Sequence, residues 1–322
     1  MSIFSRVVIA GVILLVLLNL GLVARFYHGQ SQALQHNESM AQQQLNLRPV
    51  DNLEVIPVVD LAENGEGFKV EGGSSLLVKT DNDYVLFDVG YNKKMEDEPP
   101  LLYNMKKMGI ALSDVDALAI SHNHADHVGG LCYRDNLIEL TRGPVDLMGK
   151  KAFTPVPMKC ETANTITVER PALIGEEIGT TGPLAVQMFI PGQTVEQALL
   201  VNLRDKGLVI ISGCGHPQIP DMVKTAQKIT GIPVYAVVGG THLYYTNCNS
   251  GLGGKIFGSS TLYCRSLERQ EVVDVIDEIK GLGVKKVFVS THDSDQPTLE
   301  IFAEKFGTEF ETLKVGNRIR IQ

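Results

Sequence analysis

The first apolar block of the chain is uninterrupted. From Val7 to Ala24 it reads VVIAGVILLVLLNLGLVA, with Asn19 as the one polar side chain and Arg6 and Arg25 on the flanks. A core helix shows one apolar stripe, whereas this segment is apolar on every side. At about 1.5 Å per residue it makes about 27 Å of helix, close to the roughly 30 Å hydrocarbon layer of a bilayer. A transmembrane helix is predicted within residues 1–25. The segment is longer than the core of an ordinary export signal, and the nearest small-residue cleavage pattern, Ser31-Gln32-Ala33, lies well beyond it. An uncleaved signal-anchor is therefore expected. With arginines on both flanks, charge counting does not set the orientation. The expected arrangement is a membrane-anchored chain with its domain exported, periplasmic or extracellular, and secreted if the segment is cleaved. Residues 26–49, rich in Gln, Ser and Asn, read as a polar spacer with some helix. A folded domain is expected over 50–322.

Within that domain the periodicity changes. Short β-branched runs at Val55–Leu61 and Phe68–Lys79, parted by Gly-rich turns, read as strands, and Tyr84–Asp88 reads as another. Leu101–Met108 is predicted helical and Ala117–Ser121 a short buried strand. Further strands are expected at Ala185–Ile190, Ala198–Asn202, Leu208–Ser212, Val234–Val238 and Lys286–Ser290, with helices at Pro220–Thr230, Arg269–Lys280 and Thr298–Phe306. Val272, Val273, Val275, Ile276 and Ile279 recur at helical spacing and read as core. The strands come in groups that look antiparallel, with helices between and after them. Sheet packed on sheet with outer helices, an α/β (α+β) arrangement, fits the order.

Composition excludes some functions. Hydrophobic residues make up 44% of 322, enough to bury a core and too many for a disordered chain. Formal charge is −8, and without the first 25 residues, which hold Arg6 and Arg25 and no acid, it is −10. Nucleic-acid binding needs clustered positive charge, so no nucleic-acid partner is expected. Five cysteines are too few for a disulfide scaffold.

The histidines carry the chemistry. His28 and His36 lie in the N-terminal segment; the six others, His122, His124, His127, His216, His242 and His292, each follow an apolar strand in a Gly- or Asp-containing turn. Such positions put functional side chains on a rigid scaffold. The densest segment is Ser121–Gly130, SHNHADHVGG, in which His122, His124, Asp126 and His127 fall within six positions. Imidazoles with a carboxylate suit Zn, Mn or Fe. Four donors so close together exceed the needs of one ion and predict two, with further ligands from elsewhere.

This segment resembles the metallo-β-lactamase superfamily, whose signature is H-x-H-x-D-H after a strand. Leu86–Gly90 (LFDVG), Leu208–His216 (LVIISGCGH, followed by Pro217-Gln218-Ile219), Val238–Leu243 (VGGTHL) and Val289–His292 (VSTH) are similar to further landmarks, in the same order. They point to a branch that includes a dihydropterin-ribofuranosylaminobenzene phosphate synthase and many metal-dependent hydrolases. The resemblance implies an αββα sandwich. It implies that His122, His124 and His216 hold one divalent ion and that Asp126, His127 and His292 hold a second. A water between the ions, with its pKa lowered towards 7, would be the nucleophile. Asp126 and His242 are the candidate catalytic residues, and Asp88 is expected to orient a ligand imidazole. His242 either faces substrate or is satisfied by a backbone carbonyl.

The chain departs from the wider pattern where many members place a bridging Asp, because Cys214 stands there as a ligand or a packing residue. Gln193 occupies a position where thiolesterase-like relatives have His. Glu196-Gln197 matches an element of the branch and reads as structural support for the site. Tyr244–Leu267 is long, and is expected to be an active-site lid or a surface hairpin. If the domain is exported, Cys248 with Cys264 and Cys132 with Cys160 are candidate disulfides. The leading reading is a dinuclear metal-dependent hydrolase, zinc the first choice of ion, acting on a small-molecule ester, amide, lactone or phosphoester. The alternatives are a synthase-like transferase of pterin metabolism and a metal-binding sensor or scaffold without turnover.

Overall fold

The computed structural model describes residues 2–321 apart from 66, 142, 144, 247–255 and 257. Two mixed sheets pack face to face with helices outside both. The strands are β1 (Pro49–Val50), β2 (Leu53–Val59), β3 (Ser75–Lys79), β4 (Tyr84–Phe87), β5 (Ala117–Ala119), β6 (Lys151–Thr154), β7 (Asn164–Thr167), β8 (Ala172–Leu173), β9 (Ile178–Thr180), β10 (Leu184–Met188), β11 (Gly192–Glu196), β12 (Leu199–Leu203), β13 (Gly207–Ser212), β14 (Val234–Gly239), β15 (Lys286–Val289), β16 (Phe310–Thr312) and β17 (Ile319–Ile321). The first sheet runs β17-β2-β3-β4-β5-β6-β7 and the second β16-β15-β14-β13-β12-β9-β8, with β1 also on β12; β10 and β11 form a separate hairpin. The helices are α1 (Ile3–Ala41), α2 (Pro100–Lys107), α3 (Ala125–Val128), α4 (Ile219–Thr230), α5 (Arg269–Gly281) and α6 (Gln296–Phe306).

Strand alternation sorts the core into layers. On β12, Leu199, Val201 and Leu203 face the first sheet and meet Val55, Val78 and Phe87, while Leu200 turns outward to the helices. α4, α5 and α6 bury Met222, Val223, Ala226, Val272, Ile276 and Phe302 on that outer face. Ile56, Leu77 and Leu86 point the other way, onto Leu101 and Met105 of α2. The resulting order is helix, sheet, sheet, helix, the sandwich that the sequence implied.

Strand grouping corrects one expectation. Only part of each sheet is antiparallel: β4 to β7 are parallel, and so are β13 to β16. Helices and long crossovers between these strands return the chain to the same edge, which places their C-terminal ends together.

The N-terminal region differs more. Residues 26–41 do not form a loose spacer but continue the apolar segment as one helix of 39 residues. Phe26, Gly29, Ala33 and Met40 are buried, at three-, four- and seven-residue spacing. This stripe lies along β10, antiparallel to it: Asn37 pairs with both backbone groups of Ala185, and Arg25 donates to Phe189 O and Ile190 O. Gly29 permits the approach, since a Cβ there would lie 1.9 Å from Gln187 Oε1. Leu45 and Leu47 are buried in the core under α4, and β1 adds to β12. The packed unit thus begins at Phe26 rather than near Val50. The apolar stretch before it is long enough to cross a membrane, and none of it is buried.

Candidate metal centre

Parallel strands deliver the site. Asp88 follows β4, His122 follows β5, Cys214 and His216 follow β13, His242 follows β14 and His292 follows β15, all at C-terminal strand ends, where open parallel sheets gather functional groups.

Asp88 anchors the His-rich turn. Its backbone is left-handed, with φ 64°, and its carboxylate is fully buried. Oδ1 accepts from Ser121 N at 2.6 Å, and Oδ2 accepts from Ser121 Oγ at 2.7 Å and from His127 Nδ1 at 2.7 Å. His127 Nδ1 is thereby committed to Asp88, which leaves Nε2 as the nitrogen that faces the site. Ser121 Oγ, having donated to Asp88, accepts from His122 Nδ1 at 2.9 Å, so His122 Nε2 is freed in the same way. The single turn of α3 ends at Gly129, where φ is 96° and a Cβ would meet Glu139 O at 1.6 Å; only glycine fits there.

The same relay recurs at the far strand. Ser290 Oγ donates to Asp60 Oδ2 at 2.6 Å and accepts from His292 Nδ1 at 2.6 Å, leaving His292 Nε2 for the site. Burial pushes the Asp60 carboxyl up to about 6 against the hydroxyl and amide donors that favour its anion.

Glu196, fully buried, holds the third carrier. Its Oε1 accepts from the backbone N–H of Gly213 (3.1 Å), Cys214 (3.0 Å) and Gly215 (2.9 Å), and Oε2 accepts from His216 N (2.9 Å). One carboxylate thus fixes the whole Cys214–His216 turn. Gln197 beside it donates to Ile120 O and Phe153 O and receives Thr180 Oγ1, tying β12 to the ends of β5 and β6.

The donors form two adjoining groups, and Cys214 and His216 also come together with His242. In one, His124 Nδ1 lies 3.0 Å from His122 Nε2 and 3.1 Å from His216 Nε2. In the other, Cys214 Sγ lies 3.0 Å from His127 Nε2 and 3.2 Å from His292 Nε2, with Asp126 alongside. Cys214 occupies the second group where a carboxylate was the wider pattern. His242 donates Nε2 to Gly258 O at 2.8 Å, which is the backbone-carbonyl alternative, yet its Nδ1 is buried without a partner beside His216, at a ring separation of 4.3 Å.

Electrostatics prepare the rings to accept a cation. Burial and the neighbouring imidazoles hold His122 and His216 well below the usual histidine range. Burial takes His124 down to about 4 and His292 to about 3, against the pull of Asp126. These rings are neutral at pH 7. His127 goes the other way: burial opposes its charge, but Asp88 and Asp126 outweigh it and bring it to about 9. Burial and the carboxylates of Asp293 and Asp126 push the Cys214 thiol well up.

The donor set fits a divalent ion. His124 Nδ1 faces the Nε2 atoms of both His122 and His216, and one proton cannot bridge all three nitrogens. Tetrahedral ligands on Zn–N bonds of about 2.0–2.1 Å stand about 3.3 Å apart, near the observed spacing. His122, His124 and His216 would hold one ion, and Asp126, His127, Cys214 and His292 have the chemistry for another.

A sequence model of the metallo-beta-lactamase superfamily matches residues 69–133, which contain Asp88 and the His-rich turn. Along 314 aligned residues the chain is 27% identical to 7,8-dihydropterin-6-methyl-4-(beta-D-ribofuranosyl)-aminobenzene-5'-phosphate synthase of Methanocaldococcus jannaschii, covering 86% of this chain and 99% of that one. The chain is thus similar to the metallo-β-lactamase superfamily in the segment that carries its His-rich turn. Solved structures agree on the fold: Tm1679, a metal-dependent hydrolase of the beta-lactamase superfamily, superposes with a TM-score of 0.60 at 22% identity, over 84% of this chain and 99% of that one. The metallo-beta-lactamase fold protein YhfI from Bacillus subtilis gives 0.51 at 12% identity, over 84% and 100%.

Superfamily landmarks do not cover every residue that builds the site. Asp60 lies outside all of them; Ser121, Ser290 and Gln197 lie inside quoted segments, but their roles rest on tertiary contacts. One further expectation changes. Cys132 and Cys160 are free thiols, and Cys132 Sγ donates to Val128 O instead of bonding Cys160. Cys248 and Gly251, Gly253 and Gly254 of the expected lid lie outside the described residues. The described part of that segment, Ser259–Leu267, lines a cleft beside His216 and His242 together with Gln218 and Tyr244.

Proposed function

We propose that the chain is a membrane-anchored, dinuclear metal-dependent hydrolase, its domain exported, acting on a small-molecule ester, amide, lactone or phosphoester. The observation that carries the reading is the pair of adjoining donor groups, with His127 oriented by Asp88, His122 by Ser121 and His292 by Ser290, and with His216 lining a cleft. Divalent ions bound there would supply Lewis acidity and water activation. The chain's own part is placement. Asp88, Asp60 and Glu196 fix the ligand geometry, the apolar strands keep the donors dry, and His242 Nδ1 stands at the cleft where a leaving group or phosphate oxygen would lie. Arg265, held by Glu271 at 2.6 Å, borders the same cleft and favours an anionic substituent.

An uncleaved anchor is supported by Ala33. It is buried inside a docked helix, where a signal peptidase would need accessible, extended chain. A second reading, a synthase-like transferase of pterin metabolism, is favoured by the similarity to the archaeal synthase over 86% of this chain and 99% of that one.

Elemental analysis of the purified chain, beside a His122→Ala/His124→Ala variant, tests the first reading. About two equivalents of Zn, Mn or Fe, lost in the variant, are expected; one or none would overturn the dinuclear assignment. A hydrolysis panel of esters, phosphodiesters and lactones with the loaded enzyme then separates hydrolase from synthase. Protease protection in intact cells reads the side on which the domain lies.

A further inference from the structure

The end of α1 that leaves the membrane is fastened to the domain at one corner. Arg25 donates to Phe189 O and Ile190 O, the Phe26 ring meets Phe189 edge-on at 5.6 Å, and Phe189 in turn meets Tyr263 at 5.1 Å. Phe189 N donates to Ser259 O, which ties the hairpin turn to the segment carrying Tyr263. Tyr263 then reaches back along the helix, its hydroxyl donating to Asn19 Oδ1 at 2.8 Å. Asn19 is the one polar side chain in the apolar segment and lies six residues, or about 9 Å, on the membrane side of Arg25. Ile190 and Tyr263 are nevertheless 42% and 52% exposed.

We propose that the Phe189–Ile190 turn and the Leu262–Cys264 turn form a foot that sits in the boundary between lipid headgroups and acyl chains, and so holds the catalytic domain in one orientation on the bilayer. It rests on the reading of α1 as a membrane anchor. Three observations favour lipid as the occupant. The foot is continuous with an apolar helix face that is itself unburied. Tyr263 is an amphipathic ring placed level with the last turns of the apolar segment, where tyrosines anchor at interfaces. Asn19 finds its polar partner on the domain, which removes the cost of leaving an amide unpaired near the hydrocarbon. No flexible tether intervenes, because α1 stays helical through Ala41 with its buried stripe against β10. The hairpin also sets how high the site stands. Glu196, which fixes the Cys214–His216 turn, is four residues along β11 from Gly192, so the metal centre stands about 14 Å along the strand from the foot.

The absence of tryptophan makes a direct test available, since any Trp introduced is the sole indole. Full-length Ile190→Trp, Tyr263→Trp, Leu15→Trp and Leu173→Trp are reconstituted in vesicles whose lipids carry bromine near the top or near the middle of the acyl chain. Leu15→Trp should be quenched by the deep label, reporting the anchor. Ile190→Trp and Tyr263→Trp should lose emission at least about two-fold to the shallow label, while Leu173→Trp, on β8, should not respond. Quenching of Leu15→Trp without either foot variant overturns the foot and leaves the anchor standing. No quenching of Leu15→Trp overturns the anchor reading itself.

Discussion

Replacing Glu196 by Gln keeps the shape of the side chain and removes its charge. In the parent, four backbone amides of residues 213–216 point at this carboxylate, at 2.9–3.1 Å. The amide oxygen of Gln can still receive the three donors on the Oε1 side, but its NH₂ then faces His216 N–H, donor against donor. Hydrogen bonds to a charged acceptor contribute about 1.5–3 kcal/mol each, neutral ones about 1, and an orphaned buried amide costs about 1–3. Burial of the Glu196 charge works in the opposite direction, as its raised pKa records. The net expectation for Glu196→Gln is a loss of about 2–4 kcal/mol, with Glu196→Ala worse because a cavity is added. Since the turn carries Cys214 and His216, one for each donor group, both groups should loosen together. Chemical denaturation gives the stability change, and competition against a chelator gives the change in metal affinity. A Glu196→Gln protein within about 0.5 kcal/mol of the parent, with unchanged metal retention, would refute the claim that this carboxylate holds the turn.

Gly129→Ala should lower stability by at least about 3 kcal/mol, or about 4 °C or more in melting temperature, because its Cβ would overlap Glu139 O; calorimetry checks it. Asp60 binds its proton up to about pH 6 when folded and only to about 3.8 when unfolded. Its contribution is therefore present in full below about pH 4 and lost as pH rises through about 6. At 1.36 kcal/mol per pH unit this is about 3 kcal/mol, so Asp60→Asn should flatten the stability difference between pH 4 and pH 7 by that order, read from denaturation at both. A chain starting at Phe26 should fold, whereas one starting at Val50 should aggregate. The latter lacks Phe26, Met40, Leu45 and Leu47, four buried side chains contributing about 6–12 kcal/mol; gel filtration after expression decides. Cys214→Ala should leave the ion held by His122, His124 and His216 and release the other more readily, as judged by metal content after dialysis.

Local motifs were the legible part. His122, His124, Asp126 and His127 lie within one turn, so their convergence needs no knowledge of the rest of the fold. His216 and His292 were readable through strand-then-turn patterns. Long-range support was legible only as the Glu196-Gln197 pair, without its partners. Glu196 meets amides 17–20 positions away only after β12 and β13 have paired, and Asp60 meets Ser290 across 230 residues. Parallel pairing was hidden for the same reason, since alternation within a strand names its faces but not its neighbour. Short strands such as β6, β7 and β17 lack a pattern long enough to register. The helix from Phe26 to Ala41 was hidden because its buried positions are sparse and set among Gln and Ser, and its docking on β10 decides its conformation.

The donors are supplied unequally by the two halves of the sandwich. His122, His124, Asp126 and His127 ride on the first sheet, while Cys214, His216 and His292 ride on the second. Each donor group therefore straddles a seam, and neither half of the chain holds a complete one. Any slip of one sheet over the other would shear both groups at once, in the same direction. Gln197 is placed against such slip: it stands two residues before β12 of the second sheet and is riveted to Ile120 and Phe153 at the strand ends of the first. The spacing between donor groups is in this sense a readout of how the two sheets are registered, set by a glutamine that touches no ligand atom.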